Sequence, residues 1–481
     1  MLQKIRKNFS INFAILENFF GFYYGALGNI CQAMPKKKHE ILRGLFCTND
    51  DKKILSCFWI FFFFLMTEGI FRRWLLPSMN NLFLVVRDPF VLYAVIIGFK
   101  RQYIKNFFSY SFILLGITTF FVTMLAGHGN AVVALYGVRI SVLYFPFMYV
   151  VGRVLTMDDV LKIGSILVKL IVPMVMLNIL QFFSPQSSFV NIGVGGNEEG
   201  AGFSGVMGYF RPPGIFTFIA ALTDYYAIAL CFLLYFMYDN KAALRYGISI
   251  SYLYLTVLAF IISMFITISR THFISTLGIV AAAMPAFKNM KGKLVGAAIA
   301  VVVSFTLLST FDEFNLFLEV FFTRFDGAND SEGGFGNSLH NRLFGYLERA
   351  MNSSVPLSGY GEGTFTNFGI KYLFGDLDIG GNWGKRFSDA EFEWARLIME
   401  DGPILGSIYV ILRIIMGVTL FIYGLKALRC GKNPLVWFLT PYAVLMVAQL
   451  QLKTSYHLGF MCVLVASCIA LDENKIKHSK I

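Results

Sequence analysis

The chain is a succession of apolar runs, each about long enough to cross a lipid bilayer, joined by short polar connections. A hydrocarbon core takes roughly twenty helical residues. Twelve stretches approach that length: 54–70, 82–99, 107–126, 131–151, 160–183, 215–238, 246–268, 272–287, 294–311, 394–424, 434–452 and 455–471. A helix satisfies its own backbone in lipid, so an all-α polytopic membrane protein of about twelve spans is expected. Only 15% of residues are charged, 56% are hydrophobic and the mean hydropathy is +0.63, whereas a soluble domain carries about a quarter charged residues. The 52 Phe, with runs such as CFWIFFFFLM at 57–66, suit packing in hydrocarbon. The basic start MLQKIRKNFSINF leads into no compact apolar core with a small-residue cleavage site, so no cleavable leader is expected.

Orientation follows from charge. With the N-terminus inside, the cytoplasmic segments hold 25 Lys and Arg and the short outer loops five: Arg72, Arg73, Arg211, Arg270 and Lys453. The positive-inside rule then places both termini in the cytoplasm, and it accounts for the net charge of +12 without a nucleic-acid partner. Residues 9–34 are apolar but broken by glycine and asparagine between basic runs, which predicts an interfacial helix. The seven cysteines show no CxxC spacing, so neither a disulfide framework nor a zinc site is expected.

The organisation expected is a cytoplasmic and interfacial segment over 1–53, spans one to nine over 54–311 and a long outer loop over 312–393. Spans ten to twelve over 394–471 and a cytoplasmic tail over 472–481 complete it. The long loop reads as short helical pieces (FNLFLEVFFTRF, HNRLFGYLERAMN) between turns (DGANDSEGGFGNS, SGYGEGTF, DIGGNWG). A second outer loop, 184–214, is glycine-rich. Ordered loops of such length usually carry function. There is no internal repeat of the kind found in twelve-span carriers, which argues against a transporter.

Charges within spans mark candidate sites. Arg87 beside Asp88 and Pro89 suggests a local ion pair at a bend. Lys169 and Arg413 fall near mid-span, where snorkelling or a distant partner would account for them, and Arg139 stays open. Arg211 in YFRPPGIF and Arg270 in TISRTHFIS sit at the outer surface beside breaks in helical order. Two guanidiniums there suit bidentate binding of a diphosphate, against the alternative of lipid-phosphate anchoring. His128, His272 and His457 near span ends suggest interfacial positions, and His340 a loop surface.

The stretch SDAEFEWARLIMEDGPILG, 388–406, carries five acids at the start of an apolar run. Ser388, Asp389 and Glu391 fit helix capping. Glu393, Arg396 and Glu400 share a helical face at spacings of three and four, so Arg396 can bridge both acids. Glu391 lies off that stripe as the freer carboxylate. A base there, near two outward arginines, suits deprotonation of a sugar hydroxyl that attacks a lipid-diphosphate-linked sugar.

Together, FRRWLLPSMNNLFLVVRDP, QFFSP, FRPPGIF, TISRTHF, PLSGYGEGTF and EWARLIMEDGPILG, in this order and sidedness, resemble the O-antigen ligase and polymerase-like superfamily of bacterial inner-membrane glycosyltransferases. The resemblance implies a GT-C-like fold in the bacterial inner membrane. It also implies transfer of a glycan from an undecaprenyl-diphosphate-linked donor to a glycan or glycolipid acceptor at the periplasmic face, with no metal or other cofactor. Arg211 and Arg270 would then hold the donor diphosphate, Glu391 would be the base, and Glu393, Arg396 and Glu400 its supporting network. Ligases of that family resemble one another in a His followed by Asn, Ser or Gln, then nine residues and a Gly. Here Glu391 and Phe392 precede Gly402 at that spacing, so a carboxylate replaces the imidazole. A polymerase, or a ligase with another acceptor, fits that exchange better than lipid A ligation. The other classes weighed are a flippase or transporter of lipid-linked oligosaccharide and a non-catalytic partner in polysaccharide assembly.

Overall fold

The structure is a computed structural model that describes residues 48–479 apart from 201–202, 288–290, 332, 353–354, 376–380 and 431–432. The interfacial helix expected at 9–34, with Cys31 and Cys47, lies outside the described residues. The described chain is helical except for one short hairpin. Its helices are α1 Asn49–Ile70, α2 Asp88–Lys100, α3 Phe107–Ala126, α4 Ala131–Arg139, α5 Phe145–Val154, α6 Met157–Lys169 and α7 Ile171–Phe183. The hairpin strands β1 Phe203–Val206 and β2 Tyr209–Arg211 follow. Then come α8 Ile219–Tyr238, α9 Asn240–Arg245, α10 Ile250–Ile266, α11 Arg270–Ala283, α12 Lys291–Leu308 and α13 Asp312–Ser331. The last seven are α14 Phe335–His340, α15 Tyr346–Asn352, α16 Asn367–Phe374, α17 Gly381–Asp389, α18 Glu393–Cys430, α19 Pro434–Gln449 and α20 Ser455–Ser479.

Among the described residues eight helical segments are long and apolar enough to cross a membrane, or nine if the bent pair α12–α13 counts as one. The chain is therefore built as a multi-pass membrane protein. α10, with 17 residues, and α19, with 16, are apolar but shorter. α3 shows the lipid-facing character: Leu114, Ile117, Phe121 and Leu125 are exposed while Phe112, Leu115 and Thr119 are buried. A soluble protein does not leave such a stripe to water.

Local chemistry sets the boundaries. Asn106 caps α3 by accepting from the Ser109 N–H, Thr156 and Asp159 form a reciprocal capping box at α6, and Pro434 opens α19. The hairpin turns through Met207 and Gly208, both at positive φ, as a tight two-residue connection requires. After α12 the chain bends by 102° into α13. Phe314, Phe317, Val320 and Phe321 on one side of α13 bury against Phe182, Phe265 and Ile266. α18 is not one straight rod: its backbone leaves helical geometry at Gly402, and Arg413 reaches back to Glu393, twenty residues before it.

Two expectations are corrected here. DGANDS is not a turn, because α13 continues through it to Ser331, and GNWG opens α17. Ser388 and Asp389 do not cap the next helix either. They end α17, a turn follows over 390–392, and α18 begins at Glu393.

Candidate functional site

The spans carry their charges in pairs made between helices, and this revises the local reading of Arg87. Arg87 donates from Nη2 to Glu68 at 3.0 Å and to the Ser455 carbonyl at 2.9 Å, while Asp88 takes Arg139 and the Tyr144 hydroxyl instead. Each charge so finds a partner on another segment, which is how ionised groups are retained in apolar surroundings. Lys169 donates to the Tyr246 carbonyl at 2.7 Å. Arg73, on the turn after α1, donates to the carbonyls of Val190, Ile192, Gly214 and Phe216. It thereby ties the loop 184–214 to that end of the bundle.

The acidic stretch folds into a buried knot. Arg396 donates to both oxygens of Glu393 at 2.9 and 3.0 Å and also to Glu400. Arg413, one residue left without a clear role by its position in the chain, also binds Glu393 and donates to the carbonyls of Val447 and Leu450 at 2.7 and 2.8 Å. Breaking one member of such a buried set costs about 3–5 kcal/mol, because a charge is then stranded without its partner. Glu393, Arg396 and Glu400 thus come together as the spacing of three and four implies.

Sequence reasoning missed the element that completes the knot. α18 breaks at Gly402, where φ is 79° and ψ 168°, and Pro403 has no N–H to give the Met399 carbonyl. The GYGEGTF loop fills the gap: Tyr360 N–H donates to Met399 O at 2.8 Å and Gly361 N–H to Glu400 O at 2.9 Å. Phe365 N–H donates to the Glu400 carboxylate at 2.8 Å. The loop therefore serves as the backbone partner of a broken helix. It also anchors to α3 and the turn after it, since Glu362 N–H donates to Thr123 Oγ1 at 2.8 Å and His128 Nε2 meets the Glu362 carbonyl at 3.1 Å.

The Glu362 side chain faces Asp401, and among the described residues no protein donor reaches Glu362 Oε2 or either Asp401 oxygen. Four acids (Glu362, Glu393, Glu400, Asp401) thus adjoin two guanidiniums (Arg396, Arg413), each residue no more than 2% exposed. Facing carboxyl groups without donors bind by sharing a proton. Burial, followed by the Asp401 charge, holds the Glu362 carboxyl well above the usual carboxylate range.

Glu391 stands outside this knot. It is exposed, on a turn gripped from the connection between α19 and α20: Gln451 donates to its carbonyl and Lys453 Nζ to Ala390 O at 3.0 Å. Burial pushes the Lys453 ammonium below its ordinary value.

The charges of Arg324, on α13, and of Arg270, first residue of α11, both act on Arg211 at the end of β2. Burial and then the charges of Arg324 and Arg270 push the Arg211 guanidinium down from its ordinary value. Arg324 belongs to a loop helix, so its approach depends on the 102° bend and was not readable from spacing. No contact among the described residues joins Glu391 to either Arg211 or Arg270. Of the histidines expected at interfaces, His272 and His457 are buried among side chains, while His128 is half-buried.

No family model, no curated protein and no solved structure matches this chain.

Proposed function

We propose that the chain is a membrane glycosyltransferase that moves or polymerises an undecaprenyl-diphosphate-linked glycan on the outer face of a bacterial inner membrane. The observation that carries this reading is that the charges of Arg270 and Arg324 both act on Arg211 at the end of the hairpin. Guanidiniums match phosphate oxygens in a bidentate way. A lipid diphosphate offers two such groups next to an apolar tail, and Ile179, Phe183, Ile262 and Phe317 line an apolar cavity of about 190 Å³ between α7, α10 and α13.

In this reading twelve spans place both termini in the cytoplasm and the 312–393 loop in the periplasm. Glu391, next in sequence to the knot, is the carboxylate that the order of motifs assigns as base. The Glu393–Arg396–Glu400–Arg413 knot holds its helix start rigid, as precise positioning of a reacting group demands. The resemblance to O-antigen ligases and polymerases supports the class.

The test is a host lacking this protein, complemented with wild type, Glu391→Gln or Arg211→Ala, in which undecaprenyl-diphosphate-linked intermediates are quantified on each membrane face. The expected result is accumulation of outward-facing intermediates on deletion, cleared by wild type and not by Arg211→Ala. Accumulation on the inner face would replace the reading with a flippase. Full clearance by Glu391→Gln would remove Glu391 as base and leave transfer standing.

A further inference from the structure

Three helices meet at Asp224. It lies near the start of α8, His457 near the start of α20, and Tyr442 on α19, and their residue exposures are 1%, 6% and 3%. The Tyr442 hydroxyl donates to Asp224 Oδ1 at 2.7 Å, and His457 Nδ1 pairs with Asp224 Oδ2. An aspartate in apolar surroundings is costly, and here its two oxygens are each engaged by one partner. To donate to the carboxylate, Nδ1 must carry the ring proton. The basic nitrogen of the neutral ring is then Nε2, which no described residue engages, on a side chain that keeps 8% exposure. A carboxylate that fixes the tautomer of a histidine and stabilises its protonated form is the arrangement by which imidazole becomes an effective base.

Its position matters as much as its geometry. Two residues before His457, Ser455 holds Arg87; one residue before it, the Tyr456 ring packs against Phe216 of the RPPGIF loop with centroids 5.4 Å apart. The connection just ahead of α20 grips the Glu391 turn through Gln451 and Lys453. His457 therefore lies in the first turn of α20, directly after the α19–α20 connection that grips the Glu391 turn. Glu391 is exposed on a turn, whereas His457 is held in one tautomer and one orientation.

We propose that His457, positioned by Asp224 and Tyr442, takes the proton of the acceptor hydroxyl in the transfer reaction, an assignment that rests on the glycosyltransferase reading. As the acceptor oxygen forms its bond to the anomeric carbon, its proton passes to Nε2. The bond from that carbon to the diphosphate breaks, and undecaprenyl diphosphate leaves with the electron pair. Asp224 balances the imidazolium and Tyr442 holds Asp224; both are positioning residues. In this assignment His457 takes the role that the order of motifs gives to Glu391, and Glu391 flanks the approach of the acceptor.

The experiment uses the purified full-length protein in nanodiscs and, as probe, the lipid-linked glycan that accumulates in membranes of the deletion host. Release of undecaprenyl diphosphate is followed. His457→Ala is expected to lower the rate about 100-fold or more, the scale of a lost general base, with part of the rate restored by added imidazole. Asp224→Asn is expected to lose most activity and Asp224→Glu to recover part of it, with both melting close to wild type. A His457→Gln variant that turns over like wild type, or a His457→Ala variant that folds but is not rescued by imidazole, overturns the assignment to His457 alone. Wild-type protein that releases no undecaprenyl diphosphate overturns the transfer reading together with it.

Discussion

At the scale of single residues, the decisive feature is that buried charge is matched only in part by opposite charge. Glu362 is the clearest case, since its carboxyl lies 2% exposed against Asp401 and is held well above its ordinary value of 4.5 by burial and then by that neighbour. The Arg396 charge acts the other way and Glu393 adds to the rise. A folded carboxyl that keeps its proton where the unfolded one has lost it stabilises the fold below the unfolded value and loses that contribution as pH rises toward the folded value. Stability in detergent should therefore fall as pH increases from about 4.5 toward neutrality. Glu362→Gln, which retains a donor for Asp401 and cannot ionise, should flatten that slope. Thermal melts of both proteins over this range would check it, and parallel slopes would dismiss the shared proton. The spacing of Glu393, Arg396 and Glu400 was legible because it lies within one helical face. Arg413 and Glu362 were not, because Arg413 reaches Glu393 only through the break at Gly402, and Glu362 comes on a loop that must fold back first.

The element scale shows which parts of the fold a hydropathy pattern can report. Long apolar runs mark helices because the periodicity and length are local, and most of the expected spans have a helix in the structure. The break in α18 is marked locally by Gly402-Pro403 directly after Glu400 and Asp401, but hydropathy averaged over a span runs through it. A glycine at φ 79° and ψ 168° is in a region that other residues avoid. A Cβ built there meets the Leu357 carbonyl at 2.1 Å, and Gly359, across the contact, is packed as tightly against the Glu400 carbonyl. Gly402→Ala should therefore destabilise by about 3 kcal/mol or more, strain and backbone displacement together. Gly278→Ala, in α11 with nothing within 4 Å, should leave stability unchanged or slightly raised. A midpoint comparison of the two variants in detergent isolates the break from a general intolerance of substitution. If Gly402→Ala melts like wild type, the GYGEGTF loop does not depend on the break to seat its N–H groups.

At the scale of the whole molecule, the chain's charge asymmetry and its helix ends make a claim about sidedness. The 25 Lys and Arg on one set of connections and five on the other determine the orientation if the spans alternate. The structure adds a probe already present: Cys430, at the end of α18, is exposed, whereas Cys57, Cys231, Cys462 and Cys468 are buried. If both termini face the cytoplasm, the α18–α19 connection does too, and Cys430 is shielded from a membrane-impermeant maleimide added to spheroplasts. Lys385, exposed on α17, belongs to the opposite face, so Lys385→Cys in a background lacking the other cysteines should label without permeabilisation. Cys430 should label only after the membrane is opened. Labelling of both positions from outside would mean that α18 does not cross the bilayer; a reversed pattern would invert the orientation. The reversed pattern would move the arginine cluster and the α20 start to the face opposite the one the proposed reaction requires.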